Sequence, residues 1–270
     1  MHSFKWLLLT SLAFGASLSS YAADAPATTP AVCAHRGWLS TDQLENSLEQ
    51  MEKTVAAGVP WIEMDLGTSK DNSLYLLHDR TLDRTTTAQG LISQTSDAEL
   101  SRIYLRNGDT LSTERIPYFA RFVAWLRTND VHVLVDLKAG DPAKAATMLR
   151  TAGLLPRVIF LSFDPVTDAK AFAADPKVTV SLLVKSDADV DAALVRANGH
   201  PIALYVPQGS APELFQYAAK TGKPVISDAM DKLDVQAGQT GPSAYIDYLK
   251  ARPISILVTN RALQLRDALK

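Results

Sequence analysis

Apolar residues follow two different rhythms along this chain. Short, nearly continuous apolar runs alternate with longer segments in which apolar residues recur every three or four positions. The first pattern is typical of strands buried on both faces, and the second of amphipathic helices. The apolar runs predict eight strands, at residues 32–35, 60–66, 131–137, 158–162, 178–184, 202–206, 224–227 and 254–258. Because a helical segment follows each run, the order of elements predicts a parallel sheet covered by helices.

Eight strand–helix units in about 240 residues are the number expected for a (β/α)8 TIM barrel. An open, doubly wound sheet is the alternative, but no glycine-rich nucleotide-binding loop follows the first strand. Residues 74–78 lie too close to the second strand to form the next parallel strand, so they are interpreted as a local extension. Residues 80–115 are irregular, with a short helix predicted at 97–104, and form a small insertion after the second strand.

The N-terminal residues have the pattern of an export signal. Lys5 precedes an apolar run that begins at Trp6, and Ser20-Tyr21-Ala22 supplies a small-x-small cleavage pattern. The run is too short for a membrane-spanning helix, so a membrane anchor is the weaker interpretation. We therefore predict a signal peptide at 1–22, a polar leader at 23–30 and a barrel domain at 31–270. The expected product is exported, either to a periplasm or out of the cell.

The composition of the chain limits the kinds of molecule that the protein is expected to bind. The chain is 47% hydrophobic, carries a formal net charge of −2 and contains a single cysteine. No basic stripe interleaved with aromatic residues stands out, which argues against a nucleic-acid partner. One thiol cannot form an internal disulfide. A small-molecule substrate is the expected partner, and the oligomeric state is left open.

The second predicted strand carries two acids on one face. Side chains alternate along a strand, so Glu63 and Asp65 point the same way and lie roughly 7 Å apart along the chain. Ile62, Met64 and Leu66 point the other way. Two like charges on a buried face are costly unless a cation or a shared proton offsets them. This pair is therefore the first indication of a divalent metal site.

Further polar residues follow at the carboxyl ends of neighbouring strands, where a barrel of this kind carries its active site. They are His35, Arg36, His78, Asp136 and Lys138. Three carboxylates suit Mg²⁺ or Ca²⁺, and two histidines suit a general acid and a general base. An arginine and a lysine suit a phosphate. Each residue taken alone could belong to a structural ion pair, but together they predict metal-assisted cleavage of a phosphoester.

At this point the sequence resembles the glycerophosphodiester phosphodiesterase family. The resemblance covers nearly the whole chain after the leader, and its densest block runs from residue 35 to residue 90. The matching motifs are His35-Arg36-Gly37, Glu45-Asn46-Ser47, Gly58, Glu63-x-Asp65, Thr68-x-Lys70-Asp71, His78-Asp79, Leu82, Arg84-Thr85-Thr86, Gly90, Ile116-Pro117, Asp136-Leu137-Lys138, Ser162-Phe163 and Thr259.

The resemblance implies a barrel with an insertion after the second strand, and it implies the hydrolysis of glycerophosphodiesters to an alcohol and glycerol 3-phosphate. His35 and His78 would form the acid–base pair, without an indication of which is which. A hydroxyl group of the glycerol can act as the nucleophile in this family, through a cyclic phosphate. By the same resemblance, Glu63, Asp65 and Asp136 would bind one divalent cation, while substrate or phosphate contacts would come from Arg36, Lys138 and Glu45.

The sequence departs from the family pattern at four positions. Asp136 replaces the usual glutamate, and Leu44 replaces the usual proline. The seventh strand reads Val225-Ile226-Ser227-Asp228 instead of a motif containing tryptophan, and Asn260 follows Thr259 where the family usually has aspartate. Two alternatives therefore stay open. One is a phospholipase-like enzyme that acts on a lipid or sugar phosphodiester, and the other is an inactive barrel that binds a phosphodiester.

Overall fold

A computed structural model describes residues 29–270, and eight parallel strands in it close into a barrel. β1 pairs with both β2 and β11, so the barrel has no open edge. Around the ring the strands are β1 (Ala31–Ala34), β2 (Trp61–Thr68), β6 (His132–Asp136), β7 (Val158–Ser162), β8 (Thr179–Leu183), β9 (Ile202–Tyr205), β10 (Val225–Asp228) and β11 (Ile256–Thr259). The prediction of a (β/α)8 barrel is confirmed.

Helices on the outside of the barrel connect these strands. The longer ones are α1 (Leu48–Ala56), α3 (Phe119–Leu126), α4 (Pro142–Thr151), α5 (Pro165–Ala174), α6 (Asp187–Ala197), α7 (Pro212–Ala219), α8 (Lys232–Thr240), α9 (Ser243–Leu249) and α10 (Ala262–Ala268). One apolar cluster fills the space between strands and helices, and a second, smaller one fills the barrel itself. The signal-peptide prediction lies outside residues 29–270. Within that range no helix is long and apolar enough to cross a bilayer.

The insertion after β2 contains more regular structure than predicted. β3 (Leu74–Leu76) pairs antiparallel with the end of β2, as a local extension should. The predicted helix at 97–104 is only α2 (Asp97–Leu100), and a hairpin of β4 (Tyr104–Asn107) and β5 (Thr110–Arg115) follows it. The buried Glu114 carboxylate accepts a 2.7 Å hydrogen bond from the backbone N–H of Leu48. The hairpin is thereby attached to the start of α1.

Local features explain where α1 begins and why α8 has no clear sequence signal. α1 begins at Leu48 because the Ser47 hydroxyl caps it by accepting from the Gln50 N–H, 3.1 Å away. α8 was not predicted at all. Its interior contains Gly238, where an added Cβ would lie 2.8 Å from Nη2 of Arg261. Glycine has a low helix propensity, so Gly238 weakens the helical pattern of this segment. The close approach of Arg261 nevertheless favours a residue without a side chain at this position.

Candidate active site

Three carboxylates meet at the carboxyl end of the barrel. Asp65 on β2 stands beside Asp136 on β6 in the sheet register, and Glu63 lies two residues earlier on β2. One oxygen atom from each of the three lies within 4.8 Å of the other two. All three side chains are buried. The alternation of side chains along β2 and the parallel pairing with β6 therefore build an acidic cluster with little access to water.

This cluster lacks enough positive charge of its own. Burial, and then repulsion from Asp136, raise the pKa of Asp65 to about 6, and burial with repulsion from both aspartates raises the pKa of Glu63 well above its usual range. The Lys138 ammonium, 2.8 Å from Oδ2 of Asp136, offsets one charge. Three oxygen donors at this spacing fit a hard divalent cation, which would restore the balance.

Backbone and amide groups orient the carboxylates. The backbone N–H of Arg36 donates to Oε2 of Glu63 over 2.8 Å. Asn46 donates from its amide to Oδ2 of Asp65 over 2.9 Å and accepts from the Asp65 backbone N–H over 3.0 Å. These bonds fix the direction of the acids from the loop between β1 and α1. Such outer contacts orient metal ligands in proteins generally.

The hydrogen bonds of His35 determine its tautomer. Its Nδ1 lies 2.7 Å from Oδ1 of Asn260, and the same oxygen accepts from Nε1 of Trp38 over 3.2 Å. An indole N–H can only donate, so this Asn260 atom is the oxygen and His35 carries its proton on Nδ1. Nε2 of His35 is then unprotonated. It accepts a long hydrogen bond from Nε of Arg36 over 3.3 Å and lies 3.8 Å from Oε2 of Glu63.

The surroundings of His35 also keep it neutral. Burial, and then the positive charge of Arg36, lower the pKa of His35 to about 3. The neutral amide of Asn260 offers less support to an imidazolium than an aspartate would. His35 is therefore ready to accept a proton at neutral pH.

Asn260 was missed as a site residue, although its departure from the family pattern was a visible signal. The buried carboxylate of Asp234 on α8 accepts from the Asn260 N–H over 2.7 Å. It also accepts from Thr259 Oγ1 and the Tyr245 hydroxyl, each over 2.7 Å. The helix that sequence patterning did not predict thus holds the group that orients His35.

His78 has a different partner. The backbone N–H of Leu77 donates to the Asp65 carbonyl over 3.1 Å, which returns the chain toward the acids after β3. Nδ1 of His78 lies 2.7 Å from Oδ1 of Asp79, and its side chain is 28% exposed. A carboxylate can only accept, so Nδ1 of His78 carries a proton and donates it to Asp79, which orients the ring. Asp79 was part of the matched motif, but its role was not predicted.

Glu45 lies behind Arg36 instead of in the pocket. Its buried carboxylate accepts from Nη1 of Arg36 over 2.9 Å and from both Nη atoms of Arg84 over 2.6 and 2.8 Å. Arg84 also donates to both oxygens of Asp79, over 2.7 and 3.0 Å. The hydrogen-bond network therefore runs from Arg36 through Glu45, Arg84 and Asp79 to His78. This position supports a role of Glu45 in orienting Arg36 instead of touching substrate.

Replacing Glu45 with glutamine should lower kcat/KM about 10- to 100-fold and the free energy of unfolding by about 2–3 kcal/mol, because two guanidinium groups lose their shared anion. Steady-state kinetics and thermal unfolding would measure both. Glu49→Gln on the exposed face of α1 is the matched control. In an Arg36→Ala background the Glu45 substitution should have little further effect on kcat/KM. Additive losses would contradict a role exerted through Arg36.

Left-handed backbone conformations concentrate around the site. Of six non-glycine residues with positive φ in the described range, Arg36 (51°), Asn46 (53°), Lys138 (36°) and Asp231 (64°) all lie at or beside it. Gly37 has a φ of 75°, and an added Cβ there would lie 2.6 Å from Cγ of Met51. Strained residues persist where the surroundings hold them in place, which is common at functional sites.

A pocket of about 440 Å³ opens at this end of the barrel. Seven of the eight predicted site residues line it, and Glu45 is the exception: His35, Arg36, Glu63, Asp65, His78, Asp136 and Lys138. A larger, apolar hollow of about 590 Å³ lies at the opposite end, where His132 stacks on Trp61 with 4.7 Å between ring centroids. None of the predicted site residues lines that hollow. The polar pocket is therefore the candidate active site.

The fold and the pocket define a class, the (β/α)8-barrel proteins with an acidic pocket at the carboxyl ends of the strands. Residues 35–262 match the sequence model of the Glycerophosphoryl diester phosphodiesterase family, and the chain belongs to that family. The family resemblance seen in the motifs is confirmed.

Individual relatives agree with this assignment. The chain is 28% identical over 162 residues to a glycerophosphodiester phosphodiesterase of Caldanaerobacter subterraneus, which covers 56% of this chain and 65% of that relative. A glycerophosphoryl diester phosphodiesterase structure from Parabacteroides distasonis shares the fold with a TM-score of 0.81 at 21% identity, covering 93% of this chain and 89% of the other. An Oleispira antarctica phosphodiesterase in complex with the product sn-glycerol-3-phosphate has a TM-score of 0.71 at 20% identity, covering 89% and 97%.

Proposed function

We propose that this protein hydrolyses glycerophosphodiesters to an alcohol and glycerol 3-phosphate, with one divalent cation and two histidines. The observation that carries the proposal is the acidic cluster flanked by two histidines with different Nδ1 partners, an amide for His35 and a carboxylate for His78. The names of the Caldanaerobacter and Oleispira relatives support the same reaction.

His35 acts as the general base in the first half of the reaction. Its unprotonated Nε2 takes the proton from a glycerol hydroxyl, whose oxygen then bonds to phosphorus. As that bond forms, the bond from phosphorus to the alcohol oxygen breaks. His78 enters this step as the imidazolium and donates its Nε2 proton to the departing oxygen. The alcohol leaves, and a cyclic glycerol phosphate stays in the pocket.

The two histidines exchange roles in the second half. His78, now neutral, takes a proton from water, whose oxygen bonds to phosphorus. His35, now protonated, donates to the ring oxygen as its bond to phosphorus breaks. Glycerol phosphate is released and both histidines regain their starting protonation, so every proton is accounted for.

Negative charge grows on the phosphate oxygens as the fifth bond to phosphorus forms. Arg36 and Lys138 line the same pocket and offer positive charge to those oxygens. Glu63, Asp65 and Asp136 would hold the divalent cation, Mg²⁺ or Ca²⁺, which supplies Lewis-acid stabilisation of the same charge. The Glu45 carboxylate accepts a hydrogen bond from Arg36 and orients its guanidinium group, so that Arg36 is in position before substrate binds.

The proposal is tested with purified protein and a panel of glycerophosphodiesters, in which both products are measured. We expect equal amounts of glycerol phosphate and free alcohol, and loss of both when the cation is chelated. Release of glycerol instead of glycerol phosphate, or turnover that is indifferent to chelation, would overturn it. Binding without turnover at saturating Mg²⁺ or Ca²⁺ would favour the inactive barrel.

We also propose export. The proposal rests on the sequence pattern of residues 1–22, which precede the described range.

A further inference from the structure

The pocket wall opposite the acidic cluster has a chemistry of its own. In a closed ring of eight strands, β9 lies across from β2, and β10 lies across from β6. On this far side Tyr205 ends β9, and Met230 and Asp231 follow β10. Phe163 follows β7, beside β6 in the ring, and packs against Tyr205. The proposed chemistry at phosphorus uses none of these pocket-lining residues.

Two aromatic rings form a corner in this wall. The ring centroids of Phe163 and Tyr205 lie 5.2 Å apart, with their planes at 83°. The Tyr205 hydroxyl donates to Oδ2 of Asp228 over 2.7 Å, which fixes that ring and occupies its polar end. Phe163 is 42% exposed, which is unusual for a phenylalanine at a strand end. Both rings line the pocket, and the face of an aromatic ring attracts a cation.

Asp231 adds a negative charge to this corner. It lies at the mouth of the pocket, just before α8, with φ 64° and ψ −105°. Among the described residues its side chain caps no backbone N–H of α8. The left-handed backbone there tolerates asparagine or aspartate better than most residues. An exposed carboxylate held in this conformation at a pocket wall needs a reason other than helix capping.

The two halves of the pocket carry opposite charge. With a divalent cation bound, Arg36 and Lys138 make the phosphate half net positive, which suits an anionic phosphodiester. The rest of the pocket is lined by the two rings and by the Asp231 carboxylate, and is negative. A ligand that matches both halves has an anionic phosphate and a cationic group on its alcohol.

We propose that Phe163, Tyr205 and Asp231 form a subsite for an ammonium head group. The preferred substrates are then zwitterionic glycerophosphodiesters whose alcohol carries the positive charge. This assignment rests on the proposed function and goes further by naming the class of alcohol. A preference for lipid or neutral sugar diesters is the alternative outcome of the test.

The test compares two substrates of the same shape. One is the choline ester of glycerol phosphate, and the other is its 3,3-dimethylbutyl analogue, in which carbon replaces the ammonium nitrogen. We expect the wild-type protein to show a kcat/KM about tenfold higher for the choline ester, since a partly solvated cation gains both the carboxylate and the rings. Asp231→Asn should lower that ratio roughly five- to tenfold. Asparagine keeps the left-handed backbone conformation, so the variant should fold.

A second variant keeps the inference testable if the first is unstable. Phe163→Leu preserves apolar bulk but removes the ring, and should lower the ratio about threefold. Asp130→Asn removes an exposed charge at the other end of the barrel and should leave the ratio unchanged. A wild-type ratio near one, a ratio unaffected by Asp231→Asn, or a preference for lipid or sugar diesters would overturn the subsite. Hydrolysis of no diester at all would instead overturn the proposed function.

Discussion

Alanine in place of His35 is expected to lower kcat about 10³-fold for every glycerophosphodiester, whatever its alcohol, because no other group is placed to accept the proton of the attacking hydroxyl. Alanine in place of His78 should slow the first half of the reaction similarly only when the alcohol is a poor leaving group. Nitrophenol leaves a diester as its oxyanion without needing a proton. In a single turnover of that substrate, His78→Ala should release nitrophenol less than tenfold more slowly than the wild type, while His35→Ala stays inactive.

This contrast tests the assignment of the two roles as well as the need for both residues. The rate of alcohol release in a single turnover of the choline and nitrophenyl esters measures it, because the later hydrolysis of the cyclic phosphate uses both histidines. His132→Gln, at the opposite end of the barrel, is the matched control and should leave kcat within about twofold. Rescue of His35→Ala by the nitrophenyl ester would reverse the roles. Rescue of neither variant would show that His78 is not a proton donor.

Removal of the divalent cation should lower kcat about 10³-fold, because the phosphate loses several kcal/mol of Lewis-acid stabilisation. It should also lower thermal stability. At a free concentration one hundred times its Kd, a bound cation adds about 2.7 kcal/mol to the free energy of unfolding. Differential scanning calorimetry with Mg²⁺ and then with Ca²⁺ would measure this stabilisation and identify the preferred ion.

The stabilisation by the cation should depend on pH. The pKa of Asp65 is raised to about 6, from an unfolded value near 4. The cation-free folded protein therefore holds a proton that the unfolded chain releases, and the stability associated with it is lost as pH rises through about 6. The cation competes with this proton, so the increase in melting temperature on adding it should be larger at pH 7.5 than at pH 5.

Glu63→Gln should abolish most of the stabilisation by the cation, and Glu49→Gln on α1 should preserve it. An increase in melting temperature that is the same at both pH values, or that survives Glu63→Gln, would contradict a cation held by the buried acids. Full activity after chelation would contradict its role in the reaction.

Much of the barrel was predictable because its strands are buried on both faces. Each one is a local apolar run, and the eight runs identify all eight barrel strands. The hairpin of β4 and β5 was missed for the opposite reason. The β5 sequence, Thr110–Arg115, is mostly polar and exposed, so no alternation marks it. Its pairing depends on the turn at Gly108 and on the anchoring of Glu114 to the start of α1.

Residues at the ends of the strands were similarly predictable. Strand ends meet at one edge of a barrel, so the positions of His35, Glu63, Asp65 and Asp136 in their strands were enough to place them together. Glu45 was the exception. It was assigned to the substrate side from the motif, while in the structure its carboxylate is enclosed by two guanidinium groups.

The order of strands and helices, the barrel and the group of residues around the pocket were therefore predictable, because they follow from local periodicity and from strand direction. The difference between the two histidines depends on contacts between distant parts of the chain. The partner of His35 lies 225 residues away, on the loop after β11, and reaches it only when the barrel closes between β11 and β1. Likewise Phe163, Tyr205 and Asp231 follow or end three different strands, and only the folded barrel brings them to one pocket. Such contacts depend on the register of the strands and on the closure of the barrel, and a local sequence pattern encodes neither.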